Sequence, residues 1–152
     1  VAIRALGQQY ATQQDAALLR SLYPRLNSDK SRDAEMDAVA AVGGGENTRW
    51  LLDLVRGDTE ATPRQRKALD AAARAGAPIR ELVKLYDETS DYQIKDALVQ
   101  VYARSGERVA VDKLITIVKN DTNPNIRRRA ISSLSNSDDP RVKEALKGLI
   151  IS

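Results

Sequence analysis

Apolar residues recur along this chain at helical spacing and at a longer, regular period. Sliding the sequence against itself aligns one column about every 32 residues, made up of Leu18, Leu51, Leu82, Leu114 and Leu146. Two further columns follow it at offsets of three and four: Ser21, Leu54, Leu85, Ile117 and Leu149, then Leu22, Val55, Tyr86, Val118 and Ile150. Because these offsets lie on one helical face, the columns predict five helices with a buried stripe.

A second helix is predicted before each of these, from a small residue followed by an aliphatic one. The pairs are Ala5-Leu6, Ala38-Val39, Ala68-Leu69, Ala97-Leu98 and Ala130-Ile131. A small side chain lets two helices approach closely, while its neighbour fills the seam. The pattern predicts an all-α fold, an α-solenoid of about five antiparallel helical hairpins, because a single bundle has no reason to keep a period. We place the repeats at about 1–26, 27–58, 59–88, 89–120 and 121–152, within a single domain spanning residues 1–152.

Capping residues mark the predicted helix boundaries. Thr62-Pro63, with Gln65 shortly after it, is typical of a helix start. Three other places put a capping side chain at a predicted start: Ser90-Asp91, Asn123-Pro124 and Asp139-Pro140. Glycines are expected to end helices at Gly76 and to break the chain at Gly43-Gly44-Gly45.

The composition excludes several classes of site. The sequence has no cysteine and no histidine, which excludes thiolate zinc sites, cysteine nucleophiles and the usual catalytic triad. No cofactor and no metal site are expected. The net charge of +3 is compatible with an anionic partner, but the basic residues are less dense than in dedicated duplex-binding domains.

Localisation is not determined by the sequence. No apolar run reaches the length of a membrane span, and no signal peptide is visible after the opening Val1. The absence of cysteine fits a soluble protein of the cytoplasm or of the periplasm equally well.

The repeat resembles the HEAT-repeat family, particularly the short bacterial type, over essentially the whole chain. The last unit carries the resemblance best, in the residues from Asn123-Pro124 to Ala130-Ile131 and from Asp139-Pro140 to Leu146. The resemblance implies a curved stack with the second helices on its inner face and, usually, a protein partner there. It implies no chemistry of its own. A HEAT-type enzyme with histidine metal ligands is excluded, because the chain has no histidine.

Three polar clusters could carry chemistry, and each has a simpler explanation. Asp29, Asp33 and Asp37, with Glu35, could face a hard cation, but a solvated outer face explains them without a metal-loop spacing. The loop Gly43-Gly44-Gly45-Glu46 lacks the strand and the lysine of a phosphate loop. The run Arg127-Arg128-Arg129 points in three directions on a helix, which predicts a solvated face. A contact with phosphate or an acidic partner is the alternative for this run.

Trp50 is the residue that departs most from its repeat column. Its column otherwise holds Ala17, Glu81, Lys113 and Ala145, so we expect Trp50 near the surface of a second helix. Half-buried packing against the adjacent unit is the alternative. The predicted partner-binding site is Trp50 with the basic residues Arg20, Arg49, Arg56, Lys84 and Lys113. Basic residues outnumber acidic ones along the predicted second helices, which predicts that the inner face is the more basic one.

The sequence therefore predicts a non-catalytic protein-interaction scaffold that binds an acidic or amphipathic segment on its second-helix face. The alternative is a nucleic-acid-binding solenoid with a basic concave face. The uncapped Val1-Ala2-Ile3 and the apolar Leu149-Ile150-Ile151 are typical of a piece cut from a longer array. Weak end-to-end self-association is expected from these apolar ends.

Overall fold

The computed structural model describes the backbone of residues 12–57 and 59–151, and side chains as far as residue 148. These residues form nine α-helices and no strand, which confirms the all-α prediction. The helices are α1 Gln13–Leu22, α2 Asp29–Val42, α3 Gly45–Arg56, α4 Thr62–Arg74, α5 Ile79–Glu88, α6 Tyr92–Ser105, α7 Arg108–Asn120, α8 Pro124–Ser135 and α9 Pro140–Ile151. A short 3-10 helix, Tyr23–Arg25, follows α1.

The chain forms two compact units, Val1–Pro78 and Ile79–Ser152. In the first unit, α2 packs against α1, α3 and α4, and α3 packs against α4. In the second unit, α6 packs against α5, α7 and α8, and α7 also packs against α5, α8 and α9. Within each unit the helices pack consecutively, as they do in an α-solenoid of HEAT-like hairpins. The five repeat boundaries and the single domain stay predictions.

The predicted buried stripe is confirmed in the central repeats. Leu51, Leu82 and Leu114 are all buried, and so are Val55 and Val118 four positions beyond two of them. These residues form the core face of α3, α5 and α7. We call these three helices, together with α1 and α9, the second helices. The helices α2, α4, α6 and α8 are the first helices. Leu149 and Ile150 lie outside the described side chains.

The stripe of α1 is rotated by one residue from the predicted one. Leu18 is 54% exposed, whereas Leu19 is 2% exposed and Tyr23 is buried. Placing Leu18, Ser21 and Leu22 in the core was therefore wrong, since Ser21 is exposed and Leu22 is only half-buried. One residue turns a helix by about 100°. The adjacent leucines allow either register, and Tyr23 occupies the core because its hydroxyl donates to the buried carboxylate of Glu60 at 2.9 Å.

The small-aliphatic pairs of the first helices are buried in three of the four helices described. Ala38-Val39, Ala68-Leu69 and Ala97-Leu98 are all buried. In α8 the prediction was wrong for the second residue, since Ala130 is buried but Ile131 is 37% exposed, with Ile126 and Leu134 filling the seam instead. The pair Ala5-Leu6 lies outside the described residues.

Most of the predicted caps are confirmed. Asp91 accepts a hydrogen bond from the backbone N–H of Gln93, and Asn123 accepts one from the N–H of Asn125. Thr62 is not a cap as predicted, because α4 begins at Thr62 itself, after an N-cap at Ala61 that makes no side-chain hydrogen bond. Gly43 and Gly44 have positive φ angles of 70° and 92°, so they form the predicted break before α3.

At three places, a long polar side chain of a first helix donates a hydrogen bond to a backbone carbonyl at the end of the preceding second helix or in the turn after it. The donors stand four positions after the N-caps of α2, α4 and α8. Arg32 donates to the Leu26 carbonyl at 3.1 Å, Gln65 to the Gly57 carbonyl at 2.8 Å and Arg127 to the Val118 carbonyl at 3.1 Å. They satisfy carbonyl groups that have no partner inside a helix. Lys95 holds the same position on α6, but its ammonium lies over a tyrosine ring instead.

Among the described residues, no helix combines the length and the apolar character that crossing a membrane requires.

Candidate functional site

The second unit contains an open polar cavity of about 270 Å³ beside the helices α5 and α7. Tyr86 and Asp87, at the end of α5, line one part of it, and Lys113, Thr116 and Asn120 of α7 line another. Ile117 of α7, Lys95 of α6 and the turn residues Asp121 and Thr122 complete the lining. We call this space the Tyr86 cavity.

Two lysines flank the ring of Tyr86. The ammonium groups of Lys95 and Lys113 each lie 5.0 Å from the ring centroid, where the negative face of an aromatic ring attracts a cation. Lys113 also pairs with Asp87 at 2.9 Å. Lys95 has no carboxylate within ion-pair distance among the described residues, so it is the cation of the cavity that is free to meet a ligand.

The hydroxyl of Tyr86 donates to the carboxylate of Asp121. Burial and this hydrogen bond raise the pKa of Tyr86 far above its usual value, so the group stays a neutral donor. The other oxygen of Asp121 accepts the backbone N–H of Asn123 at 2.8 Å. Both oxygens of Asp121 are therefore occupied by donors that fix the turn after α7.

The first unit contains a related cluster around Tyr23. The guanidinium of Arg32 lies 5.3 Å from the Tyr23 ring centroid, and Trp50 meets the ring edge-on at 5.1 Å. Glu60 is buried and accepts hydrogen bonds from the Tyr23 hydroxyl, from Arg32 and from Arg64. Burial and the bond to Glu60 raise the pKa of Tyr23 far above its usual value. Here every charged group around the tyrosine has its partner within the chain.

The residues of the predicted site are divided between the two units. Trp50, Arg20, Arg49 and Arg56 belong to the first unit, whereas Lys84 and Lys113 belong to the second. Arg20 pairs with Glu46 at 3.5 Å, and Arg56 pairs with Asp53 at 3.5 Å. Arg49 and Lys84 are exposed on α3 and α5. Of the six residues of the predicted site, only Lys113 lines the Tyr86 cavity.

Trp50 has a packing role. It is half-buried and packs against the buried residues Leu19, Ala38 and Val39, in addition to Tyr23. Its exposed part leaves it available to a partner as well. This geometry corresponds to the packing alternative that the sequence left open, and the binding role stays a prediction.

The packing role of Trp50 can be measured. We expect Trp50→Ala to lower the free energy of unfolding by about 2 kcal/mol, since a half-buried aromatic side chain is removed from an aromatic pair. Trp50→Phe keeps a ring at the position and should lose less than half as much. Urea denaturation followed by circular dichroism measures both. An unchanged free energy for Trp50→Ala would assign the residue to the binding surface alone.

The tyrosine clusters were not predicted from the sequence. Tyr86 was placed in an apolar core column, and no contact with a tyrosine was predicted for Arg32 or Lys95. One signal was present. Tyr23 and Tyr86 are each followed, nine positions later, by a basic residue on the next helix. The interval crosses the turn between two helices, so spacing within one helix does not predict the contact. Only the packed structure shows that the two side chains meet.

The predicted basic excess of the second helices is not specific to them. With the observed helix bounds, Lys and Arg outnumber Asp and Glu by a larger margin on the first helices α2, α4, α6 and α8 than on the second helices. The charge count therefore does not single out the second helices, and a more basic second-helix face stays a prediction. Acidic residues such as Glu88, which falls inside α5, reduce the excess on the second helices.

The acidic set of α2 serves the protein's own packing. Asp33 pairs with Arg64 at 3.4 Å, and Asp37 pairs with Arg74 at 3.3 Å. Glu35 does not lie on this face, because it is completely buried. Within the described residues, no cluster of acidic side chains is arranged to hold a metal ion.

The arginine run of α8 splits as its helical spacing predicts. Arg127 donates to the Val118 carbonyl, Arg128 bonds to Asn125, and Arg129 pairs with Asp96. The three side chains therefore do not form one basic patch.

Comparison with known proteins finds a similarity in the second unit. A family model described as HEAT repeats matches residues 79–152, which are the second compact unit. No curated protein and no solved structure gives a significant match.

Proposed function

We propose that this chain is a non-catalytic scaffold for a partner protein, because residues 79–152 match the HEAT-repeat family model and HEAT repeats are commonly protein-interaction scaffolds. The partner contributes an acidic or amphipathic segment that lies along the second helices. The proposed contact residues are Trp50, Arg20, Arg49, Arg56, Lys84 and Lys113.

The Tyr86 cavity is the observation that carries this proposal. It is bounded by two successive second helices and contains Lys113, a residue of the proposed contact set. Concave sites with a few convergent polar groups are the usual places for a ligand group. Its lysine and amide side chains can donate hydrogen bonds to an acidic group of a partner.

Binding of nucleic acid is supported less well. Such binding needs many basic side chains free to meet phosphates. On the second helices, Arg20, Arg56 and Lys113 are each paired with a carboxylate of the chain. Few of these charges are therefore free for phosphates, whereas an acidic peptide needs only a few cations, such as the exposed Arg49 and Lys84.

Charge reversal on the exposed second-helix positions tests the proposal. We expect Arg49→Glu and Lys84→Glu each to weaken binding of a fluorescent peptide of alternating glutamate and leucine by several-fold, since like charges repel at an interface rim. Arg128→Glu, on the exposed side of a first helix, is the matched control and should leave the affinity unchanged. Fluorescence anisotropy measures all three.

Two results would contradict the proposal. Equal weakening by Arg128→Glu would show that the peptide senses only the net charge. Tighter binding of a mixed-sequence DNA duplex than of the peptide, with affinity falling steeply as salt rises, would favour the nucleic-acid alternative.

A further inference from the structure

We infer that the Tyr86 cavity binds the carboxylate of a single aspartate or glutamate side chain from the partner segment, with Lys95 as its counter-ion. This inference rests on the proposed function and names the chemical group that the second unit recognises. It depends on the geometry around two tyrosines of the chain.

The two tyrosine clusters are equivalent in the repeat. Each residue of the second cluster lies two repeats after its counterpart in the first, at the same separation: Tyr86 after Tyr23, Lys95 after Arg32 and Lys113 after Trp50. In both clusters the first helix places a cation over the ring of a tyrosine at the end of the preceding second helix, at 5.3 Å for Arg32 and 5.0 Å for Lys95. In both, the tyrosine hydroxyl donates to a carboxylate.

The clusters differ in what neutralises this cation. In the first unit, Arg32 pairs with the buried Glu60 at 3.2 Å, so the chain itself supplies the carboxylate. In the second unit, Asp121 takes the hydroxyl of Tyr86 but makes no ion pair with Lys95. A half-buried ammonium without a carboxylate lacks the partner that its counterpart in the same fold possesses. An incoming carboxylate would supply Lys95 with the ion pair that Glu60 supplies to Arg32, while Asp121 keeps the hydroxyl of Tyr86.

The number of free charges selects a carboxylate over a phosphate. Lys113 is compensated by Asp87 at 2.9 Å, so Lys95 is the one cation of the cavity outside an ion pair, and the nearby carboxylate of Asp121 further disfavours a doubly charged group. A phosphate group carries close to two negative charges and needs several cationic donors. A carboxylate carries one charge, and the side-chain amide of Asn120 in the lining can donate to its second oxygen.

The size of the cavity is also suitable. Its volume of about 270 Å³ is several times the volume of a water molecule, which is enough for the end of one acidic side chain. The open geometry admits a side chain from an extended or helical segment that passes over α5 and α7.

Two peptides and two lysine variants test the inference. The probes are the glutamate-leucine peptide and its glutamine-leucine counterpart. We expect Lys95→Gln to weaken the glutamate peptide about tenfold, which corresponds to about 1.4 kcal/mol, and to leave the glutamine peptide unaffected. Lys30→Gln is the matched control, because Lys30 is an exposed lysine in the first turn of another first helix. It should change neither affinity.

A second measurement uses the unaltered protein. In NMR titrations, N-acetylglutamate amide should shift the ring proton signals of Tyr86, whereas N-acetylglutamine amide should not. No shift with either compound would overturn the assignment of the cavity. Tighter binding of a phosphoserine peptide than of the glutamate peptide would overturn the choice of a singly charged group.

The outcomes separate this inference from the proposed function. If Lys95→Gln behaves as Lys30→Gln does while Arg49→Glu and Lys84→Glu still weaken the peptide, the scaffold proposal stands and the cavity assignment fails. If no acidic peptide binds the unaltered protein at all, both fail.

Discussion

Replacing Leu19 by aspartate should unfold the first unit, with a loss of about 4 kcal/mol or more in the free energy of unfolding. Leu19 is 2% exposed and packs with Ala38, Val39 and Trp50. An aspartate there would bury a carboxylate, and no cation lies among these three neighbours to pair with it. Losses of this size arise only from a few mechanisms, and an unpaired buried charge is one of them.

Leu18→Asp is the matched control for this change. Leu18 is the adjacent residue on the same helix, but it is 54% exposed. Both variants share the lower helix propensity of aspartate, so the control should cost only about 0.5 kcal/mol. Trp50 is the only tryptophan in the sequence and belongs to the first unit, so its fluorescence follows the unfolding of that unit in urea. A larger loss for Leu18→Asp would restore the predicted register of α1.

Replacing Glu35 by leucine should stabilise the first unit above neutral pH and remove a pH dependence. Glu35 is completely buried, and neither of its carboxylate oxygens has a hydrogen-bond partner among the residues that the structure describes. The residues seven positions after the N-caps of the other first helices are Ala68, Leu98 and Ala130, all buried and apolar. The repeat therefore places Glu35 where its equivalents are hydrocarbon.

Burial raises the pKa of Glu35 from 4.5 to about 7, because the neutral acid is easier to bury than the carboxylate. The folded state then binds a proton more tightly than the unfolded state does. Below pH 4.5 Glu35 is neutral in both states, so its stabilising contribution is fully present there. This contribution is lost as pH rises through 7, and the total loss is about 3 kcal/mol at roughly 1.4 kcal/mol per pKa unit.

Urea denaturation followed by Trp50 fluorescence below pH 4.5 and above pH 7 measures this loss. Glu35→Leu should differ little in stability between the two conditions, apart from the contributions of other groups. Glu35→Gln removes the titration but keeps a buried polar group, so it should lose the pH dependence without gaining the full stability. Glu144→Gln removes an exposed carboxylate and is the control. Its stability should follow the same pH profile as that of the unaltered protein. Identical profiles for Glu35→Leu and the unaltered protein would show that Glu35 is solvated.

Local rules determined which elements form. Helical spacing of apolar residues identified α3, α5 and α7, and Asn123 and Asp91 were recognisable as caps because capping involves only near neighbours. The absence of cysteine and histidine excluded whole classes of chemistry before any fold was considered. The repeat was visible because neighbouring hairpins meet the same packing requirement in turn.

The tertiary structure decided what depends on partners distant in sequence. Leu18 and Leu19 are equally apolar, and only the contacts of Tyr23 with Glu60 select the second of them for the core. Lys95 and Arg32 are both basic residues at one repeat position, yet Arg32 meets a buried carboxylate and Lys95 does not. Charge pairing and burial are properties of the space around a side chain. That space is filled by residues from other helices, so periodicity within one helix does not determine it.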